Sequence, residues 1–156
     1  MLLGYEMCHA REGHEAGRKL LQRLYRQYTG QEMPPILVTE RGKPYFENSC
    51  IHFSISHTKD RVFCVLSHQN VGMDAEKTDR NIDLRLAQKI LSPGEKQRLD
   101  MQTDKQAALL KLWVLKEAAA KLSGQGLKGY PDHTDFDPDD PRVQVIENCY
   151  VAILEE

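Results

Sequence analysis

Two short stretches concentrate the side chains that could do chemistry: Val-Gly-Met-Asp-Ala-Glu-Lys at 71–77 and Trp-Val-Leu-Lys-Glu-Ala-Ala-Ala-Lys at 113–121. In the first, the two-residue period of a strand sets Val71, Met73 and Ala75 on one face and Asp74 and Glu76 together on the other. Adjacent carboxylates repel and raise each other's pKa unless a cation lies between them. Acids with few other ligands suit Mg²⁺, which keeps waters and takes phosphate oxygens. A lone Asp-x-Glu is also what a solvated strand end looks like, so the second stretch decides how the first is read. There, in a helix, Trp113, Glu117 and Lys121 fall at four-residue spacing on one stripe. Two readings follow. One is a surface Glu117–Lys121 pair worth roughly 0.2–0.5 kcal/mol beside a partly exposed indole. The other is a stripe facing a cleft with Asp74 and Glu76, in which Glu117 is a third acid and Lys121 meets a phosphate.

The elements that must position these groups are legible. Residues 104–123 are rich in Ala, Leu and Lys without Gly or Pro, and Leu109, Leu112, Leu115, Ala119 and Leu122 recur at three- and four-residue steps as one buried face; Gly124 ends the helix. Ser92, Pro93 and Glu95 form a capping-box pattern at the start of a helix over 93–101. The remaining order is strand 2–8, helix 11–28, strand 36–39, a Gly-Lys-Pro turn, strands 51–57, 61–67 and 70–76, helix 83–91, and strands near 142–147 and 149–154. On helix 11–28, Leu20, Leu21, Leu24 and Tyr28 are the apolar face, while Arg18, Lys19, Arg23 and Arg26 are polar. Each half has a helix to pack on mostly antiparallel strands, an α+β pattern of two similar lobes, 1–69 and 70–156. Asp132–Pro141, rich in Asp and Pro, reads as a loop.

Together these motifs resemble those of the 4′-phosphopantetheinyl transferases of the Sfp type. Gly42-Lys43-Pro44-Tyr45, Phe53-Ser54-Ile55-Ser56-His57, Gly72-Met73-Asp74-Ala75-Glu76 and Trp113 to Lys121 are similar to four signature motifs in the same order, and Ser92 to Glu95 and Gly124 to Leu127 resemble neighbouring family sequence. The resemblance implies a pseudo-twofold fold with coenzyme A in the cleft between lobes. It implies Mg²⁺ on Asp74, Glu76 and Glu117, with Glu117 also a candidate base, and coenzyme A phosphates on Lys43, Ser56, His57 and Lys121, with Pro44 in the same turn. Where relatives carry an arginine in the first helix this chain has Gly13 beside His14, which leaves Arg11, His14 or Arg18 for that contact. The implied reaction transfers the 4′-phosphopantetheine arm of coenzyme A to a serine of an apo acyl or peptidyl carrier protein, releasing 3′,5′-ADP. The alternatives are a degenerate relative that only binds coenzyme A and an unrelated Mg²⁺-dependent phosphohydrolase.

Composition is consistent with this. At 156 residues, 40% hydrophobic and net charge −2, the chain can bury one good core or two small lobes and is too balanced for a polyelectrolyte binder. No basic patch interleaved with aromatics points to nucleic acid. The start, Met-Leu-Leu-Gly-Tyr-Glu-Met, reads as a strand rather than a signal peptide, and no apolar run has membrane length. Cys8, Cys50, Cys64 and Cys149 lack metal-ligand spacing and suit a reducing cytoplasm; Cys64 reads as core. With two lobes in one chain, a monomer is expected.

Overall fold

The computed structural model describes residues 1–126 and 134–156. Leu127, and Asp132 and His133 of the expected loop, lie outside the described residues. Two three-stranded antiparallel sheets organise the chain. The first has the order β1 (Leu2–Met7), β5 (Arg61–Ser67), β4 (His52–His57), and the second β6 (Val71–Lys77), β8 (Cys149–Glu155), β7 (Val143–Ile146). Helix α1 (Gly13–Thr29) packs Leu20, Leu21, Leu24 and Tyr25 on the outer face of the first sheet against Val62, Cys64 and Leu66. The inner face of β5, Phe63 and Val65, meets Val71, Met73 and Ala75 of β6 together with Val151. β5 is therefore buried on both faces, which is why its run Val-Phe-Cys-Val-Leu lacks polar alternation.

Helix α4 (Lys105–Ser123) covers the outer face of the second sheet through Val114, Leu115 and Ala118 on Ala152 and Leu154. Its N-terminal half is wrapped by Ile82, Ala87, Leu91 and Leu99, so burial extends around the helix to Ala108, Leu110 and Ala120, beyond the single face the spacing predicts; Ala119 and Leu122 are only half-buried. The approach of α4 to β6 depends on Gly72, where a Cβ would lie 2.1 Å from the Ala118 carbonyl oxygen. That contact lets the Asp74 face of β6 lie directly under the helix.

Three local expectations need correcting. The helix expected over 83–91 is a 3₁₀ turn, Leu84–Leu86, running into a single α turn, α2 (Ala87–Ile90). The Asp83 side chain caps the 3₁₀ turn, and the run is too short for a regular amphipathic face. The strand expected over 36–39 ends at Val38. Beyond the Gly-Lys-Pro turn the chain forms a further strand, β3 (Pro44–Phe46), which pairs with β2 (Ile36–Val38) as a hairpin; a proline at the first position of a short edge strand masks the pattern. Helix α3 (Pro93–Asp100) begins on the expected capping box, with Ser92 Oγ accepting the Glu95 amide and Glu95 Oε1 accepting the Ser92 amide. Among the described residues no helix is long and apolar enough to cross a membrane.

Candidate functional site

β4 and β6 are edge strands of different sheets that lie beside one another, and serine hydroxyls bridge them. Ser54 Oγ accepts the Met73 amide at 3.0 Å, and Ser56 Oγ accepts the Ala75 amide at 3.1 Å. The Ser56 hydroxyl then donates to Asp74 Oδ1 at 3.0 Å. Ser56 thereby sets the orientation of Asp74. From α4, Lys121 Nζ reaches the same Oδ1 at 2.9 Å and the Ile55 carbonyl at 3.3 Å. Asp74 Oδ2, in contrast, is buried and has no hydrogen-bond partner. A buried acceptor left open costs about 1–3 kcal/mol, more when charged, so this oxygen marks an incomplete site.

Two further acids crowd Asp74. Burial pushes the Glu76 carboxyl above its ordinary range and the Asp74 charge pushes it further, against the opposing pull of Arg80 and a hydrogen bond from the Trp113 indole. Arg80 is ion-paired with Glu76 and lies 6.0 Å from the centroid of the Trp113 ring. Burial also raises the Glu117 carboxyl, with Asp74 and Glu76 adding to the shift and Lys121 opposing it. The stripe Trp113, Glu117, Lys121 thus faces Asp74 and Glu76. The donor set, three oxygen acids whose mutual repulsion is under-neutralised and one open buried oxygen, has the chemistry of a Mg²⁺ site. Among the described residues no three acids, histidines or cysteines stand close enough to hold a metal ion as they are placed. Arg80 holds Glu76 and Lys121 holds Asp74, so two protein cations answer the charge that a metal would answer.

Beside this group opens a cavity of about 310 Å³ lined by Arg41, Lys43, Pro44, Ile55, Glu117 and Lys121, among others. Lys43 Nζ donates to Asn70 Oδ1 at 2.6 Å and to the Leu122 carbonyl at 2.7 Å, closing the last turn of α4. Burial lowers its ammonium pKa. Of the residues singled out in sequence, the structure gathers Lys43, Pro44, Glu117 and Lys121 around the cavity, with Asp74 bound to Lys121 at its edge. His57 is exposed at the end of β4, outside this lining. Its ring lies over the start of α1, where a Cβ on Gly13 would come within 2.7 Å of its Cγ and Nδ1. The glycine at position 13 makes room for that ring. His14 is exposed one residue further on.

Sequence reasoning missed four participants. Arg41 lines the cavity, Arg80 holds Glu76, Ser54 joins the sheets, and Lys116 forms a buried pair with Glu95 at 2.6 Å. Only Arg41 carried a signal, its place next to Gly42-Lys43 in the turn; the others depend on which strand edges and helix faces meet.

A family model for the 4′-phosphopantetheinyl transferase superfamily matches residues 70–152. The chain is 33% identical over 90 residues to the 4′-phosphopantetheinyl transferase gsp of Aneurinibacillus migulanus, covering 56% of this chain and 37% of that protein. It is 37% identical over 94 residues to Sfp of Bacillus subtilis, covering 56% and 40% respectively. It is 34% identical over 119 residues to AcpT of Escherichia coli, covering 73% and 58%. The chain therefore spans about half the length of these relatives.

Proposed function

Because the chain belongs to the 4′-phosphopantetheinyl transferase superfamily, with Sfp-type relatives, we propose that it transfers the 4′-phosphopantetheine arm of coenzyme A to a serine of an apo acyl or peptidyl carrier protein. The observation that carries this reading is Asp74: one oxygen is fixed by Ser56 and Lys121 and the other is buried and open, at the edge of a cationic cavity. Asp74, Glu76 and Glu117 would hold Mg²⁺, whose contribution when bound is to neutralise the diphosphate. For Glu76 this requires release of Arg80, an exchange between two cations at one carboxylate.

The chain's own groups then have defined tasks. Lys121, released from Asp74, offers its ammonium to the diphosphate, and the turn at Lys43 and Pro44 holds the nucleotide end. Glu117, its carboxyl already raised by burial and by Asp74, takes the proton of the carrier serine hydroxyl. The serine oxygen bonds to the phosphorus that carries pantetheine, and the bond from that phosphorus to 3′,5′-ADP breaks, the leaving charge meeting the cavity cations. Lobes 1–69 and 70–156, each one long helix on a three-stranded sheet, are related by a pseudo-twofold with the cavity between them. The chain acts as a monomer in the cytoplasm, where its free cysteines stay reduced. His57 and His14, at the start of α1, are the remaining candidates for a coenzyme phosphate.

The test is incubation with coenzyme A, Mg²⁺ and a panel of apo carrier proteins, followed by intact mass measurement. A gain of one phosphopantetheinyl arm is expected on at least one carrier. Binding of coenzyme A with no carrier modified leaves a degenerate binder, and phosphate release without a carrier identifies a phosphohydrolase.

A further inference from the structure

Two protein cations sit on the acids of the site, and they differ in what else they face. Lys121 pairs with Asp74 and lines the cavity, where a ligand phosphate can take it over. Arg80 pairs with Glu76 and is not among the described residues that line the cavity. Its surroundings are instead those of Trp113. The guanidinium lies 6.0 Å from the centroid of that ring, and the indole of the same residue donates to Glu76. Arg80, Glu76 and Trp113 therefore form a closed triangle at the rim of the acid cluster. The backbone around Arg80 is held on both sides. The chain leaves β6 in a turn closed by the Arg80 amide on the Lys77 carbonyl at 3.0 Å, with the Thr78 amide on the Asn148 carbonyl at 2.9 Å. Two residues beyond Arg80, Ile82 is buried, and the Gln106 side chain of α4 takes both its amide, at 3.0 Å, and its carbonyl, at 2.9 Å.

The backbone is thus pinned while the Arg80 side chain is 41% exposed, against 22% for Glu76. The guanidinium can leave Glu76 by rotating into solvent, with no rearrangement of the turn. From this placement, and resting on the metal site of the function proposed above, we infer that Arg80 is a built-in counter-ion that competes with Mg²⁺ for Glu76 and so sets the metal concentration at which the site is complete. It is a positioning residue. Its charge holds the Glu76 carboxylate in the metal-free protein and yields it to a divalent cation. A partly exposed arginine pair is weak enough to be displaced, and an arginine over a half-exposed indole adds only a little to it. Trp113 is the only tryptophan of the chain, so its emission reports the exchange.

The test is titration of Mg²⁺ into the full chain in metal-free buffer, with and without coenzyme A, for the wild type, Arg80→Gln and Arg80→Lys. Trp113 fluorescence and the rise in melting temperature are read together. In the wild type Mg²⁺ should change the emission as the guanidinium leaves the ring. Arg80→Gln should be half-saturated at a roughly three- to tenfold lower Mg²⁺ concentration, the scale of a partly exposed ion pair and its ring contact. Arg80→Lys, which keeps the charge, should lie nearer the wild type than Arg80→Gln does. A merely structural arginine would instead lower the metal-free melting temperature of Arg80→Gln and leave the Mg²⁺ midpoint unmoved. That outcome, or a midpoint shifted to higher Mg²⁺, overturns the assignment while leaving the metal site and the proposed function standing. A wild type that shows no response to Mg²⁺, with or without coenzyme A, overturns the metal site and the proposed function with it.

Discussion

Two lysine–carboxylate pairs anchor α4 to its surroundings, and they differ in how completely they are satisfied. In Glu95–Lys116 both side chains are sealed, 0% and 2% exposed. Glu95 Oε1 accepts from Lys116 and from the Ser92 amide, Oε2 accepts the Phe136 amide at 2.9 Å, and Lys116 also donates to Thr134 Oγ1 at 2.6 Å. In Asp74–Lys121 the lysine is 34% exposed, one carboxylate oxygen has two donors and the other has none. The first pair is a closed network that fixes where the chain re-enters after α4. The second is left open on the side facing two more acids and the cavity. Lys116 and Glu117 are sequence neighbours, so a single residue step, about 100° around the helix, separates a group fully engaged by the fold from one facing the cavity.

The largest effect separates the pairs by stability. Lys116→Met removes one partner of the sealed pair and leaves a buried carboxylate uncompensated, a loss of about 3–5 kcal/mol. Denaturant unfolding should show a much lower midpoint, while the protein that remains folded keeps its affinity for coenzyme A. A small stability change with lost binding would reverse the roles assigned to the two pairs.

Asp74→Ala is the reciprocal experiment. It removes a carboxylate that the fold leaves half satisfied and that repels Glu76 and Glu117, so the melting temperature should stay near that of the wild type. Transfer should fall by roughly 10³-fold or more, the several kcal/mol of charge stabilisation that a metal site supplies at tenfold per 1.36 kcal/mol. Measurable transfer at a wild-type rate, or full activity with excess chelator, would remove Asp74 from the site.

Ser56→Ala probes the seam that feeds both strand edges into the site. The variant leaves the Ala75 amide without its acceptor and Asp74 with one donor fewer, and should cost about 1–3 kcal/mol in stability. Transfer should fall less than in Asp74→Ala, since the acid itself remains. A loss in coenzyme A affinity with unchanged stability would instead make Ser56 a direct phosphate ligand, as the resemblance implied.

Much of this was legible in sequence where the signal is local. The alternation in 71–76 placed Val71, Met73 and Ala75 in the core and Asp74 opposite, and the four-residue stripe brought Glu117 and Lys121 to the same cleft. The capping box at Ser92 was readable because both of its partners lie within four residues. What could not be read depends on pairings distant in the chain. Glu95 meets Lys116 across 21 positions, and within Leu-Trp-Val-Leu-Lys-Glu a lysine gives no sign that its helix face will be covered. Ser56 has the residue type expected of a ligand, but its hydroxyl is directed by the contact of two sheet edges that no periodicity encodes. Arg80 gave no signal, because nothing local in the sequence shows that the chain after β6 turns back to pair it with Glu76.

The smallest expected effect follows from the same crowding and tests Glu117 without relying on catalysis. Its carboxyl is raised by burial first and then by Asp74, so the folded state holds the proton more tightly than the unfolded chain does. A carboxyl of that kind destabilises the native state progressively as pH rises from the ordinary carboxylate range through its raised value, the opposite of an acid that gains a partner on folding. Glu117→Gln removes the ionisation and also lessens the repulsion on Glu76. In metal-free buffer the stability of Glu117→Gln relative to the wild type should therefore climb with pH across that window and level off above it. Mg²⁺ favours the ionised wild-type side chain, so adding it should shrink or invert the difference at neutral pH, read as a shift in melting temperature. If the relative stability is flat with pH and indifferent to Mg²⁺, Glu117 only lines the cavity and has no part in metal binding. The open site would then reduce to Asp74 and its unpaired oxygen.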